Sequence, residues 1–592
     1  MAPKIYTSPF PTQTLSDTSV FSHLFSSKDA TDVGGFPAST PAFIDAATGT
    51  TITRTQLKKF AFSLGNGLKT RLSLRRGDTI LIYSPNSLTW PVVLFGAGAA
   101  GLRSTLANSA YNARELAFQY QDSGAKVIFA SEDNVPVVRQ TLKDLGLNKA
   151  EADKRIVVMT NSLYWAGGPS IIIKPELAGL LTVADLLQFG SLKDEEKFEG
   201  KLANETVYLC YSSGTTGKPK GVETTHKNIT SVLEIVKVGF PALKQGEDSM
   251  LGILPFYHIY GAVKLLHFPF FSGIPVVVMA RFDPVKFCAN VERYKITCSL
   301  IVPPVLVVLS RHQAVDQYDL ATLRILFSGA APLGAALAQQ VTNRLMERRK
   351  GRNPVKILQG YGLTETSPTT HLIPVEAAER KVGSIGLLLP NLEARLVVDG
   401  EGDGNIDAAE GQPGEIWIRG PTIMKGYLNN PTATKDAITP DGWFKTGDIA
   451  IRDSEGYYKI VDRRKELIKY KGFQVPPAEL ESVLLTHPDV ADTAVIGVDS
   501  VKEATELPRA YVVHANPEKV KTEDQKIAFA NSVKKWIEGK VARHKFLRGG
   551  VVVIEVIPKS AAGKILRREL RDRAKQELAG RNPAADNVKS KL

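Results

Sequence analysis

Tyr211-Ser-Ser-Gly-Thr-Thr-Gly-Lys-Pro-Lys-Gly221 follows directly on an apolar run, Val207 to Cys210, that reads as a β-strand. Gly214, Gly217 and Gly221 let backbone N–H groups turn toward an anion without Cβ clashes. The hydroxyls of Ser212, Ser213, Thr215 and Thr216 add donors, and Lys218 and Lys220 add positive charge, so the loop reads as a phosphate cradle. It is not a Walker loop. Lys218 is followed by Pro219 instead of the Ser or Thr that ligates magnesium, and the upstream glycine of that motif is missing. A different nucleotide chemistry is implied.

Outward from this loop the chain has an α/β rhythm. Thr79–Tyr83, Val127–Ala130, Ile156–Met159, Ile274–Met279, Leu323–Phe327 and Val355–Leu358 are apolar runs that predict strands buried on both faces. Leu57, Phe60, Ala61, Leu64 and Leu68 recur at three- and four-residue spacing and predict an amphipathic helix covering such a sheet. From Gly383 to Tyr458 the texture changes to short strands between Gly/Pro/Asp turns, which predicts a small barrel-like β unit. A last α+β unit begins at Asp462, with a helix from Pro477 to Thr486, strands Thr493–Ile496, Ala510–Val513 and Val551–Val556, and helices Ile527–Val541 and Lys564–Leu578. The expected division is an N-terminal extension (1–37), a large α/β domain of two sheet layers plus the β unit (38–461), a smaller α+β domain (462–579) and a polar tail (580–592).

Composition narrows the function. The 592 residues are 43% hydrophobic, enough for several cores, and no apolar run approaches the length of a membrane span. Cys210, Cys288 and Cys298 lack CxxC spacing, which argues against a zinc site or a disulfide framework. The formal charge of +13 is concentrated toward the C-terminal end, with no zinc-finger spacing and no RNA-reading aromatic motif; a solvated helix face explains much of it, and the remainder can face a polyphosphate ligand. Ser590-Lys591-Leu592 is the tripeptide read by the peroxisomal import receptor, and it predicts delivery to the peroxisomal matrix.

Further segments join the loop. Tyr361-Gly-Leu-Thr-Glu-Thr366 follows a strand-like run and puts Thr364 and Glu365 at a strand's carboxyl end, where open α/β sheets bind ligands. Trp443-Phe-Lys-Thr-Gly-Asp448 is expected to hold a carboxylate in a tight turn, suited to ribose hydroxyls. Together with LPFYHIYG at 254–261, SGAAPLG at 328–334, VDRRKELIKYKGFQVPPAELE at 461–481 and PKSAAGKILRREL at 558–570, these blocks resemble the adenylate-forming superfamily over roughly Ala38 to Arg571. The resemblance is strongest to its acyl-CoA and aryl-CoA ligases of the 4-coumarate–CoA ligase type.

That resemblance implies ATP, Mg²⁺ and coenzyme A. An acid and ATP form an acyl-adenylate with loss of pyrophosphate, and the CoA thiol then displaces AMP. A carboxylate attacking an anionic triphosphate needs charge neutralisation and alignment above all. By resemblance, residues 212–220 hold the β- and γ-phosphates, Glu365 helps place Mg²⁺, and Thr364 contacts the α-phosphate. Gly329, Ala330 and Ala331 with Tyr361 and Gly362 line the adenine, and Asp448 and Arg463 meet the ribose. Lys564 matches the adenylation lysine, and His258 the histidine near the substrate carboxylate. Lys469 and Gln474 match catalytic-site residues of the plant ligases, Lys471 and Gly472 the segment brought to CoA, and Asp462 the hinge of a C-terminal domain that turns between steps.

The acyl pocket implied by the resemblance involves Tyr260, Lys264, Gly329 and Gly360. A lysine at 264 departs from the small or apolar residues usual in the plant enzymes. It either bends to solvent at the pocket rim or meets a distal polar or carboxyl group of the acid. Aromatic and medium- or long-chain fatty acids both remain open as substrates. A luciferase-like monooxygenase and an enzyme loading a separate carrier protein share the adenylating blocks and stand as alternatives; a non-catalytic nucleotide-binding protein is disfavoured by the presence of Lys564, Glu365 and Asp448.

Overall fold

The computed structural model describes residues 3–212, 219–331, 333–347, 354–399, 402–471, 473–500, 503, 505–560 and 563–579. Two large sheets dominate. In the first, Leu181–Thr182, Ile156–Met159, Ala125–Ser131, Thr79–Tyr83, Arg103–Leu106 and Thr206–Ser212 lie parallel in that order, and Lys220–Thr225 and Gly426–Tyr427 extend the edge antiparallel. Strand side chains alternate between its two faces. Ile80, Ile82, Val127 and Phe129 enter the main core, while Leu81, Tyr83, Ile128 and Ala130 pack under the helices Ala113–Ser123 and Val135–Asp144. Both faces are therefore dry, which is why these strands read as unbroken apolar runs.

The second sheet has nine strands, its centre built from the parallel Val276–Val278, Met250–Gly252, Cys298–Ile301, Ile325–Ser328 and Lys356–Gly362. Its Leu251, Val277 and Leu300 share the core with the first sheet. The helix Arg54–Thr70 buries Leu57, Ala61, Leu64 and Leu68 as its spacing predicts, and starts on a reciprocal Thr53–Gln56 cap. The expected barrel-like unit takes the form of a five-stranded antiparallel sheet in the order Tyr6–Thr7, Glu393–Val397, Gly414–Arg419, Phe444–Arg452, Tyr458–Arg463. Its first strand comes from the supposed extension. Residues before 38 are thus part of the domain: Val20, Phe21, Leu24 and Phe25 of the helix Val20–Phe25 are buried in its core.

In the C-terminal unit, Val490–Ser500, Thr505–His514 and Val551–Val553 form a three-stranded sheet covered on both faces. Val495, Ala510 and Val512 pack against Leu480, Leu484, Val533 and Ile537, and Ala494, Ile496 and Tyr511 pack against Leu570 and Ala574. The final helix starts at Arg567, not Lys564. Lys564 sits in the preceding turn, where Ser560 N–H donates to its carbonyl (2.8 Å) and Gly563 takes φ +79°, a left-handed conformation open to glycine. The three cysteines are free and buried. Among the described residues no helix is long and apolar enough to cross a membrane.

Candidate functional site

The hairpin Thr206–Ser212/Lys220–Thr225 places Ser212 opposite Lys220, so both ends of the phosphate loop are fixed by the sheet. Ser213, Gly214, Thr215, Thr216, Gly217 and Lys218 lie outside the described residues, as does Gly472. Beside the hairpin runs Gly426–Tyr427, with Tyr427 opposite Val222. The Lys220 ammonium lies 4.8 Å from the centroid of the Tyr427 ring, and the Tyr427 hydroxyl donates to Glu365 Oε1 at 2.9 Å. Burial and the Glu365 carboxylate push the Tyr427 phenol up, so it stays protonated and remains a donor. Lys220, Tyr427 and Glu365 are therefore one chain of contacts at the mouth of the loop. Tyr427 has no local sequence signature that reveals this.

Glu365 lies in the single 3₁₀ turn Thr364–Thr366, tied by the Leu363 N–H to Thr366 Oγ1 (2.9 Å). Gly362 precedes it at a position where a Cβ would fall 1.5 Å from the Pro368 carbonyl oxygen, so only glycine fits. The strand Lys356–Gly362 also carries Tyr361, whose hydroxyl donates to Asp448 Oδ2 at 2.6 Å. Asp448 is 4% exposed and sits within the strand Phe444–Arg452, not in the tight turn that Thr-Gly-Asp suggests. Gly447 (φ +75°) and a register shift after Ile449 kink this strand while its pairing continues. Arg463 is directly opposite Asp448 on the next strand, its Nε 3.3 Å from Oδ1. Burial holds the Asp448 carboxyl above its usual range, against the opposing pull of Arg463, Tyr361 and Lys564.

Gly329 follows the strand Ile325–Ser328, and its bare Cα lets the Tyr260 ring lie against it; a Cβ there would come within 3.0 Å of that ring. Tyr260 donates to the Phe327 carbonyl at 3.3 Å. Gly360 admits Phe327 in the same way, and Ala330 takes φ +68° before Ala331. His258 caps the short helical turn Ile259–Gly261, its Nδ1 accepting the Tyr260 N–H at 3.2 Å. Burial, reinforced by the Lys564 charge, brings the His258 imidazole down to about 4, so it is neutral at pH 7.

Lys564 reaches this group from the C-terminal unit. Its turn lies against Val302 and Pro304, the nearest atoms to a Cβ built on Gly563. Burial, then Arg463, pulls the ammonium down to about 8, opposed by Glu466, Asp448 and Glu365. One side chain thus feels residues from four sequence blocks. Lys469 and Gln474 are a cross-strand pair on the hairpin Ile468–Tyr470/Phe473–Val475 with exposed side chains, and the described contacts do not bring them into the group around Lys564. Lys471, also exposed, pairs with Glu503 at 2.8 Å. Lys264, a substrate-pocket candidate, is 4% exposed on the π-helical turn Ala262–His267, which excludes the reading of a lysine bent to solvent.

Asp462 stands at the junction of the two units. Its Oδ1 accepts the Arg463 N–H (2.7 Å) and its Oδ2 the Ala478 N–H (3.0 Å) at the start of the helix Pro477–Leu484. Burial raises this carboxyl to about 6. Arg567, which sequence reading passed over, binds Glu481 with both carboxylate oxygens at 2.7 Å and Glu466 at 2.9 Å, fixing the segment that leads to Lys564.

Residues 30–428 match the AMP-binding enzyme family, and residues 479–564 match the AMP-binding enzyme C-terminal domain. The chain belongs to the AMP-binding enzyme family. Within it the chain falls in the acyl- and aryl-CoA ligase branch: 4-coumarate-CoA ligase 1 of Narcissus pseudonarcissus is 37% identical over 546 residues, covering 91% of each chain. Probable 4-coumarate–CoA ligase 1 of Dictyostelium discoideum is 37% identical over 525 residues, 85% of this chain and 87% of its own. The crystal structure of the anthranilate CoA ligase AuaEII in complex with anthranoyl-AMP shares the fold, with a TM-score of 0.79 at 24% identity over 96% of this chain and 99% of that one.

Proposed function

We propose that this protein is an AMP-forming acid–CoA ligase in which an acid attacks the α-phosphorus of ATP, pyrophosphate leaves, and the CoA thiol then attacks the acyl carbon and releases AMP. The observation that carries the reading is the convergence of Lys564 with Asp448, Arg463, Glu365 and His258 across the boundary of two units. The Asp448 carboxylate, oriented by Tyr361 and Arg463, supplies acceptors for ribose hydroxyls. Ser212 and Lys220 with the loop between them face the outer phosphates, and Thr364 the α-phosphate. Lys564 bridges the incoming carboxylate and the α-phosphate, where a cation in a water-poor cleft is worth several kcal/mol. Neutral His258, whose Nδ1 accepts the Tyr260 N–H, carries its proton on Nε2 and donates a hydrogen bond near the acid without adding charge.

Magnesium usually keeps one or two carboxylates and completes its shell with phosphate oxygens and water. Glu365, buried beside the phosphate loop and held by Tyr427, fits that donor set. Bound there with ATP, the metal would neutralise phosphate charge. Lys469, Gln474 and Lys471 lie on a hairpin whose exposure suits a role in the thioester step, after the C-terminal unit turns about Asp462.

The relatives support an aromatic, 4-coumarate-like acid as first candidate, with medium- and long-chain fatty acids second. Ser590-Lys591-Leu592, outside the described residues, supports action in the peroxisomal matrix; a reporter carrying the chain without these three residues is expected to stay cytosolic. Pyrophosphate release from ATP over a panel of acids, with and without CoA, tests the ligase. Release that needs an acid, and acyl-CoA that appears only with CoA, is expected. Light emission or oxygen uptake with a luciferin would point to the monooxygenase chemistry instead.

A further inference from the structure

The Lys264 ammonium is buried and makes no hydrogen bond with any described residue. Its own helix shows the contrast. His267, three residues on and equally buried, has both ring nitrogens engaged, Nδ1 with the Ala262 carbonyl (2.9 Å) and Nε2 with the Tyr208 hydroxyl (2.7 Å). The polar groups of this turn are otherwise satisfied, and Lys264 is left facing rings: its Nζ lies 5.4 Å from the Phe268 centroid. Phe268 is edge-on to Phe240, and Phe240 stacks on Phe327, the ring that Gly360 admits. The main chain of Phe327 in turn anchors Tyr260 against Gly329. Lys264 therefore belongs to one continuous wall with Tyr260, Gly329 and Gly360, the residues expected to line the acyl pocket.

A buried ammonium without a counter-charge carries a desolvation cost that no described residue returns. Chains rarely keep such a group, and π-helical turns are concentrated at functional sites. We propose that Lys264 is a specificity residue selecting acids that carry a second carboxylate at the end remote from the one being activated. This rests on the ligase reading above and replaces its monocarboxylic candidates with acids, aromatic or aliphatic, that end in a second carboxylate. One carboxylate of the acid lies at Lys564 and His258, and the other meets the Lys264 ammonium, so each end has a cation and the apolar body of the acid crosses the aromatic wall between them. Burial, which drives the amine toward its neutral form in the empty site, makes the group responsive to an arriving anion.

The test uses the purified full chain and a graded series of α,ω-dicarboxylic acids beside monocarboxylic acids of matched length, with 4-carboxycinnamic and 4-methylcinnamic acids as an aromatic pair. Pyrophosphate release gives kcat/KM for each acid. In the parent, one dicarboxylate length is expected to exceed its monocarboxylate partner by about 100-fold or more, because a site built around a buried polar group rejects the analogue that leaves it unpaired. Lys264→Met is expected to lower that ratio by a similar factor, raise turnover of the monocarboxylates, and erase the optimum in dicarboxylate length. A parent that favours monocarboxylates, or a ratio that moves less than about threefold in the variant, overturns the proposal while leaving the ligase intact. If no acid of either kind supports pyrophosphate release, the ligase reading falls and this one with it. Should Lys264→Met not fold, Lys264→Gln and the parent's own length optimum decide the same question.

Discussion

Replacing Lys564 by Ala removes the one ammonium proposed to face both the acid and the α-phosphate. Its cost follows from the site. With no anion bound, burial and Arg463 bring Lys564 down to about 8 from 10.5, which at 1.36 kcal/mol per unit of pH is roughly 3 kcal/mol against the charged form. An oxygen anion at about 4 Å returns ~4 kcal/mol at an effective dielectric of ~20, and two such anions meet the lysine in the transition state. The net is about 5 kcal/mol, or a 10³- to 10⁴-fold loss of adenylation in Lys564→Ala. Pyrophosphate exchange into ATP reads that step alone, and CoA-dependent release of AMP from preformed acyl-adenylate reads the other. Lys564→Arg is expected to recover little, because a planar guanidinium cannot bridge two oxygens as a point charge. A loss below tenfold in exchange, or equal loss in both assays, would refute the assignment.

A Cβ on Gly334 would fall 2.3 Å from Ser482 Oγ of the C-terminal unit, so Gly334→Val is expected to block docking in the Lys564-inward arrangement and slow pyrophosphate exchange at least tenfold while sparing the thioester half-reaction; equal rates in both assays with the parent would count against it. Asp448→Ala removes the acceptor of Tyr361 and Arg463 and leaves the partly buried Arg463 without its opposite carboxylate; we expect a rise of about 100-fold in the KM for ATP and a lower melting temperature, and an unchanged KM would exclude the ribose role. Asp462 has a folded value raised from 3.8 to about 6, so its contribution to stability is complete below pH 4 and is lost as pH climbs through 6. Denaturant titrations of the parent and Asp462→Asn should show a stability difference that changes between about pH 4 and 6 and is flat above; a difference independent of pH would remove the buried carboxyl from the account.

What could be read from the sequence followed the physics of each segment. Thr79–Tyr83 and Ile156–Met159 begin and end where their apolar runs do, because helices or a second sheet cover both faces and no polar position interrupts them. Asp448 was legible as a site residue but not as a strand residue: Thr-Gly-Asp has turn composition, and only pairing with Gly414–Arg419 and Tyr458–Arg463 keeps it extended. Lys564 was placed at a helix start because Lys-Ile-Leu-Arg-Arg-Glu-Leu has helical character, yet the bridge between Lys559 and Ile565 holds that stretch extended up to Arg567. The segment before residue 38 is polar and short in apolar periodicity, and its place is set by partners more than three hundred residues away, such as Ala394 opposite Tyr6 and Asn391 accepting the Gln13 N–H. The side chains of Tyr427 and Arg567 meet partners such as Glu365 and Glu481, 62 and 86 positions away, so no local pattern announces them.

The distribution of contacts explains how one lysine can be delivered and withdrawn. Within the C-terminal unit the bonds are strong and charge-assisted: Arg567 with Glu481 and Glu466, Lys559 with both oxygens of Asp492, and Arg509 with Glu577. Across to the N-terminal domain the described contacts are fewer: Gly563 against Val302 and Pro304, Gly334 beside Ser482, a hydrogen bond from Arg311 to the Val490 carbonyl at 3.1 Å and, beside the junction, Arg464 with Glu415 at 2.9 Å. With few described bonds between the units, the role proposed for Lys564 has the anions of the cleft supply the attraction that holds it there. Once pyrophosphate has left, that attraction falls, and the same weak contacts leave the unit free to present another face. The buried Lys264 is the opposite case, an ammonium fixed in the wall of the large domain that cannot withdraw and whose proposed counter-charge is the second carboxylate of the substrate.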